Sequence, residues 1–296
     1  MEGLEQMGYE AIYDPDFNPE ELEEILPTLT GVIINTKIKM TAARIKLAKQ
    51  LKFIGRLGSG LDIIDLEVAK HRGIAVLNSP EGNRNAVAEH ALGMLLCLAN
   101  NIMRGDKEVR QKLWDREKNR GFELEGKTVG LIGFGNTGQS FARKLSRWTL
   151  RVTYCDPYVL EVSEEFSNIE RVTINQLQRE SDIISLHVQL TEETRKMIDA
   201  TFLKNCKKGL VLINTSRGAV VDTRALLNSL ETGQISGACL DVFENEKPHS
   251  FTIEENQLYD RLYSLDNVVL TPHIAGWTHE SLRKIAETLL TKINAI

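Results

Sequence analysis

Short runs of aliphatic and β-branched residues recur along this chain, separated by longer stretches whose apolar positions return every three or four residues. The short runs lie at 32–34, 53–57, 74–77, 128–132, 152–155, 183–186, 211–213, 238–240 and 268–270. They are apolar almost throughout rather than alternating, which is the pattern of strands covered on both faces in a parallel sheet. The stretches between them read as helices at 20–26, 42–51 and 66–71, a long apolar helix at 86–102, a charged one over 106–120 carrying Trp114, and a last one at 280–293. Near the start, 4–7 reads as a helix stub and 11–13 as a strand. Strand alternating with helix predicts an α/β protein built from right-handed crossovers, as two doubly wound parallel-sheet domains. The turn-forming cluster at 78–82, Asn-Ser-Pro-Glu-Gly, predicts a boundary or hinge. A last helix that returned to the first domain would make that domain discontinuous.

A chain of 296 residues is long enough for two such domains, each with its own core. Its 42% apolar and 26% charged residues are ordinary for a soluble globular protein, and a net charge of −5 gives no reason to expect a nucleic-acid partner. Cys97, Cys155, Cys206 and Cys239 form no C-x-x-C pair and three sit in apolar runs, so they read as free thiols in a reducing cytosol, with no metal site. No leader pattern opens the chain. The most apolar stretch, 86–99, carries Glu89 and His90 and is too short to span a bilayer. A cytoplasmic protein without a membrane partner is expected.

The run at 128–132 ends on Gly133-Phe134-Gly135-Asn136-Thr137-Gly138, and a helical pattern follows with Phe141, Leu145 and Trp148 on one face. Strand, G-x-G-x-x-G, helix, second strand and a terminal acid, Asp156, all occur in order. That order is the dinucleotide-binding fingerprint: a tight turn, a backbone open to pyrophosphate, and a closely packed helix whose N-terminus favours the anion. Asp156 can bond both ribose hydroxyls and would repel a 2′-phosphate, and the residue after it is Pro157 rather than an arginine, so NAD is expected over NADP.

Three further polar groups follow apolar runs: Arg217 in Asn214-Thr215-Ser216-Arg217-Gly218, Asp241 with Glu246 shortly after it, and His273 after Thr271-Pro272. Groups at the carboxyl ends of parallel strands converge on one crevice. An arginine there can hold a carboxylate bidentately, though a lone arginine is as often a structural ion pair. Either acid can equally be a surface group. Of six histidines, His187 and His273 end strands; His187 would lie along the adenine side, and His90 on the long helix could pack at an interface. His273 is therefore the candidate acid/base, poised near neutral pH, with a carboxylate beside it to stabilise the imidazolium. Oxidation of a 2-hydroxy acid needs such a base and a nicotinamide to take the hydride.

With Gly58-Ser59-Gly60-Leu61-Asp62, Asn78 to Asn83, Val87-Ala88-Glu89, the fingerprint, Asn214 to Gly218, Asp241 to Glu246 and Thr271-Pro272-His273 in order, the chain resembles the D-isomer-specific 2-hydroxyacid dehydrogenases, most closely their D-3-phosphoglycerate dehydrogenase branch of serine biosynthesis. The resemblance implies a Rossmann cofactor domain at 82–274 and a smaller flavodoxin-like substrate domain at 1–81 plus 275–296, with hinges near Pro80 and Ile274 closing a cleft. It implies the catalytic set Arg217, Glu246 and His273. For NAD it implies Gly133, Gly135, Asn136, Thr137, Gly138 and Asp156, then His187, Val188, Thr215, Ser216 and Arg217, and finally Asp241, His273, Ala275 and Gly276. Asp241 would sit near the nicotinamide carboxamide. Backbone amides around Ser59 and Gly60 would hold the substrate carboxylate, with Arg217 and His273 as further substrate contacts. A homodimer through the cofactor domain is implied, with the helix from Ala86 as its element.

Three departures stand out. The usual first strand is absent, so either a strand is missing or the small domain is built differently. The stretch from Glu246 to His273 is longer than the family usually shows, so a loop over 247–266 that shapes the pocket is expected. The phosphate-reading arginine expected after 32–34 is replaced by Asn35-Thr36-Lys37-Ile38-Lys39, where Lys37 is the nearest cation and can equally be an exposed loop lysine. The end at Ile296 leaves no room for a regulatory domain, so serine feedback is not expected. The implied reaction is D-3-phosphoglycerate to 3-phosphohydroxypyruvate with NAD. A glyoxylate/hydroxypyruvate reductase is the alternative enzyme, and an NADH-sensing corepressor-like binding protein the alternative of another class.

Overall fold

A computed structural model describes every residue except Pro15 and Phe17. In chain order the elements are α1 (Glu2–Gln6), α2 (Pro19–Ile25), β1 (Gly31–Ile34), α3 (Ala42–Leu47), β2 (Phe53–Arg56), α4 (Leu66–His71), β3 (Ala75–Asn78), α5 (Pro80–Ala99) and α6 (Ile102–Arg110). Then follow β4 (Thr128–Ile132), α7 (Asn136–Leu145), β5 (Arg151–Cys155), β6 (Glu170–Arg171), α8 (Ile174–Glu180), β7 (Ile183–Leu186), α9 (Ala200–Asn205) and β8 (Leu210–Asn214). The chain closes with α10 (Thr223–Glu231), β9 (Ile235–Leu240), α11 (Ile253–Tyr263), β10 (Val268–Leu270) and α12 (His279–Ile293). It forms two compact units, Met1–Arg84 with Trp277–Ile296, and Asn85–Gly276.

The larger unit is built on a parallel sheet of order β10-β9-β8-β7-β4-β5-β6. The order reverses between β4 and β7, and that switch point opens a crevice at the strand ends. Its inner strands lack polar alternation because both faces are buried. Val129, Leu131, Ile183, Val211 and Ile213 face a core with Leu95 of α5 and Phe141 of α7. Ile132, Ile184, Leu186, Leu210 and Leu212 face the opposite core, with Leu177 of α8, Phe202 of α9, Leu226 of α10 and Leu262 of α11. Two-residue periodicity thus sorts one apolar run between two cores.

The smaller unit carries, among the described residues, a three-stranded parallel sheet of order β1-β2-β3. Leu26, Val32, Ile45, Ile54, Ala69 and Ile74 share one core. On the other side Phe53 packs with Leu289 and Ile293 of α12.

Several local expectations are corrected. Residues 11–13 form no strand. The turn-rich residues at 80–82 lie in the first turn of α5, shortly before the passage from the smaller unit to the larger at Arg84 and Asn85; proline is tolerated there because its missing N–H has no helical partner. Gly82 is required by packing, since an added Cβ would lie 2.6 Å from the Ile285 backbone nitrogen. The long helix stops at Ala99, and Asn101, at φ 52°, turns the chain by 61° into α6. The charged stretch 106–120 is not one helix: α6 ends at Arg110, Lys112 takes φ 62°, and Trp114 lies beyond, 78% exposed. Trp148 likewise falls past the end of α7. Among the described residues no single helix is long and apolar enough to cross a membrane.

Candidate active site

At the switch point Gly133 leaves β4 at φ 92°, and a Cβ there would lie 2.5 Å from the carbonyl oxygen of His187, which follows β7. A Cβ on Gly138 would lie 2.3 Å from the Gly133 oxygen, so the first turn of α7 sits hard against the loop. Gly135 is different: nothing lies within 4 Å of its absent Cβ. Gly135 is also the N-cap of α7 and has no side chain to cap it, so the dipole end carrying Asn136 and Thr137 opens onto that space. The Thr215 hydroxyl is buried and lacks a hydrogen-bond partner. An open glycine, an uncapped helix terminus and an orphan hydroxyl fit a dinucleotide's pyrophosphate and polar groups.

Asp156, 9% exposed, accepts at Oδ2 from Phe134 N (2.7 Å) and at Oδ1 from Tyr158 N (2.8 Å) and Val159 N (3.1 Å). Its carboxylate therefore pins the glycine loop to the turn after β5. An arginine does approach it, from a part of the chain that adjacency in sequence could not reveal: Arg171 of β6 donates to the Asp156 carbonyl from Nε (3.3 Å) and Nη2 (3.1 Å). His187 lies half-buried with Nε2 3.0 Å from Ser185 Oγ, and burial pushes its pKa down to about 3, so it is neutral at physiological pH. Val188 is half-buried beside it.

Arg217 is presented by a loop that Asn214, at the end of β8, organises from beneath. Asn214 Oδ1 accepts from Ser216 N (3.0 Å) and Oγ (2.9 Å), while Nδ2 donates to the Arg217 carbonyl (3.0 Å). The guanidinium donates from Nη1 to the Ser216 carbonyl (2.7 Å). Gly218 lets this loop meet the next one, because a Cβ there would lie 1.9 Å from the Phe243 carbonyl group.

Asp241, only 1% exposed at the end of β9, anchors the loop that carries His273. Its Oδ1 accepts from Thr271 Oγ1 (2.6 Å) and Ile274 N (2.9 Å), and Oδ2 from Ala275 N (2.9 Å). Its carbonyl accepts from His273 N (2.8 Å). With its proton given to Asp241, the Thr271 hydroxyl accepts from His90 Nε2 at 2.9 Å. His273 sits at φ 57°, left-handed backbone that a non-glycine residue holds only when its surroundings fix it. Sequence reasoning placed Asp241 at the site but missed this anchoring role, and it read His90 as able to pack at an interface without its contact to Thr271.

The His273 ring donates from Nδ1 to Glu246 Oε2 at 2.8 Å, both side chains being partly exposed. That hydrogen bond raises the imidazole above its ordinary pKa of 6.5; burial opposes it, the Glu246 and Asp241 charges add to it, and Arg217 opposes. Burial alone would raise the Glu246 carboxyl, but the bond and charge of His273, the Phe243 amide and the Arg217 charge outweigh it and hold Glu246 low. Arg217 thus lies close enough to act on both partners. Glu244, the neighbouring acid, does other work: it accepts from Thr223 N (2.9 Å) and pairs with Lys196 (3.2 Å).

In the smaller unit, Asn78 Nδ2 donates to the Ser59 carbonyl (2.6 Å) and Ser79 N to the Gly58 carbonyl (2.9 Å), shaping the loop at Ser59 and Gly60. Gly58 has φ 141°, and a Cβ there would lie 2.7 Å from the Arg56 guanidinium. Lys37 is exposed in the loop after β1, its backbone N–H held by Asn35 Oδ1 (2.8 Å).

Residues 92–275 match the family model for the D-isomer specific 2-hydroxyacid dehydrogenase, NAD binding domain. A hydroxypyruvate reductase of Thermotoga maritima is 39% identical over 93% of this chain and 87% of its own length. A D-3-phosphoglycerate dehydrogenase of Archaeoglobus fulgidus is 36% identical over 94% of this chain but 51% of its own. The chain spans about half the length of the phosphoglycerate dehydrogenases it matches. A crystal structure of D-lactate dehydrogenase from Aquifex aeolicus with NAD and lactic acid superimposes with TM-score 0.86 at 31% identity, over 99% of this chain and 90% of that one.

Proposed function

Because this chain belongs to the D-isomer specific 2-hydroxyacid dehydrogenase family and carries its NAD-binding domain, we propose that it interconverts a D-2-hydroxy acid and its 2-keto acid. The observation that carries this reading is the 2.8 Å bond between His273 Nδ1 and Glu246, with the Arg217 charge acting on both. Glu246 fixes the ring with Nδ1 protonated, which leaves Nε2 to exchange the substrate proton. In oxidation neutral His273 removes the hydroxyl proton; in reduction the imidazolium returns it to the nascent alkoxide. Arg217 holds the carboxylate and polarises the ketone. NAD, when bound, supplies the hydride chemistry, and the residues named along the glycine loop, Asp156 and Thr215 hold it.

The leading substrate is D-3-phosphoglycerate, with Lys37 as point-charge partner for the phosphate and Ser59 and Gly60 as candidate substrate contacts. The second reading, reduction of hydroxypyruvate or glyoxylate, is favoured by similarity to a hydroxypyruvate reductase along nearly its whole length. We also infer a cytoplasmic homodimer, supported by four free thiols and by exposed Ile102, Met103, Val109, Leu113 and Trp114 in the larger unit. A panel of 3-phosphohydroxypyruvate, hydroxypyruvate, glyoxylate and pyruvate with NADH and NADPH tests the assignment. Activity on hydroxypyruvate without activity on the phosphorylated acid selects the second reading. Tight NADH binding without turnover of any keto acid overturns both and favours a sensing role. His273→Ala should lower turnover about 10²–10⁴-fold while sparing NADH binding.

A further inference from the structure

Helix α11 occupies the stretch that is long for this family, and it does more than fill space. Its start is fixed by a reciprocal cap: Thr252 Oγ1 accepts from Glu255 N (3.1 Å) and Glu255 Oε2 accepts from Thr252 N (2.7 Å). One turn on is Tyr259, 2% exposed, stacked between Phe251 (centroids 4.6 Å apart) and Tyr263 (5.4 Å). Phe243 stands edge-on to Tyr259 and Tyr263 at 6.2 and 5.9 Å. The Tyr259 hydroxyl accepts from Asn245 N at 3.1 Å, and Asn245 Nδ2 donates to Glu255 Oε1 at 3.1 Å.

These contacts grip the turn that carries Glu246. Asn245 precedes it directly, and Phe243 donates its backbone N–H to Glu246 Oε1 at 3.3 Å. We propose that Tyr259 is a positioning residue: through Asn245 and Phe243 it holds the 243–246 turn so that the Glu246 carboxylate meets His273 Nδ1. The inference rests on the assignment of His273 as acid/base. A phenylalanine at 259 would keep the ring stack but leave the Asn245 amide without its acceptor, and the turn would relax to find another. The charges concerned are few. Glu246 faces His273 and Arg217, His273 also feels Asp241, and Tyr259 faces Glu244 and Glu255.

The test is the pH profile of keto-acid reduction in Tyr259→Phe, with Tyr263→Phe as the control for removing a hydroxyl from the same stack. Tyr259→Phe should lower kcat roughly three- to tenfold and leave NADH binding unchanged. A weaker Glu246 bond favours the imidazolium less, so the alkaline limb should move to lower pH by roughly half a unit. Tyr263→Phe should move neither. Glu246→Gln, run in parallel, separates the two levels of argument. If it leaves the limb in place, the assignment of the His273–Glu246 pair is wrong. If it shifts the limb and Tyr259→Phe does not, the pair stands and the positioning role falls, whether or not kcat has dropped.

Discussion

Asp241→Asn perturbs the His273 loop at its anchor while changing the side-chain volume very little. The carboxylate accepts three hydrogen bonds from a loop thirty residues away: Thr271 Oγ1, Ile274 N and Ala275 N, at 2.6, 2.9 and 2.9 Å. An amide has one acceptor oxygen. Placed at the Oδ1 position, it keeps Thr271 and Ile274 but aims an NH₂ group at the Ala275 N–H, and the opposite flip is worse. Losing one charge-assisted bond and leaving a buried donor facing another donor costs about 2–4 kcal/mol. In a protein of this size each kcal/mol moves Tm by roughly 2–4 °C, so the apoprotein should melt about 4–16 °C lower. Turnover should fall at least about tenfold, because His273 is displaced from its constrained backbone position. Differential scanning calorimetry of apoprotein, with keto-acid reduction alongside, is the assay. The apoprotein decides the matter: a residue whose only task was to touch the nicotinamide would leave its Tm alone. A Tm within about 1 °C of wild type would refute the anchoring argument.

Two glycines should separate folding from binding. Gly218→Ala drives a Cβ into the Phe243 backbone, which cannot swing aside, and should destabilise by about 1–3 kcal/mol in denaturant titration. Gly135→Ala meets open space, so its Tm should stay put while NADH fluorescence titration shows binding weakened by about tenfold or more. For pH dependence, reduction requires protonated His273, whose pKa is raised above 6.5, so activity should persist above that pH and fall as pH rises through the shifted value. Glu246→Gln should bring the alkaline limb down, and an unmoved limb would show that another group sets it.

The parts legible in the sequence are those whose physics is local. Gly133, Gly135 and Gly138 announce themselves because strand, turn and helix must follow within a dozen residues. Runs such as 183–186 and 211–213 are strands by composition because both their faces are buried. The parts that were not legible depend on partners far along the chain. Asp241 reads as an acid at a strand end, but its three donors come from 271–275. Arg171 reaches Asp156 only because β6 pairs with β5. Tyr259 is an ordinary aromatic in a stretch that reads as a long loop, until α11 forms there and Asn245 is seen against its hydroxyl. The cluster at 78–82 is legible only as the neighbourhood of the passage between units at Arg84 and Asn85; that its proline opens a helix and its glycine clears space for Ile285 depends on partners outside it.

Adjacency of β8, β9 and β10 explains how residues so distant in sequence are held together. Parallel neighbours in register deliver their following loops to the same edge, and each loop here is tied to the next. Asp241 N donates to the Asn214 carbonyl at 3.0 Å, Gly218 abuts Phe243, and Asp241 holds 271–275. Arg217 is thereby referenced to the Glu246 turn, and Asp241, which precedes that turn, holds the loop that carries His273. A displacement at any one link must be absorbed by the others, since the links are a backbone hydrogen bond, a glycine set against backbone and a buried carboxylate with three donors. The acid/base pair and the guanidinium therefore behave as one unit set by sheet register, and substitutions along these links should combine non-additively.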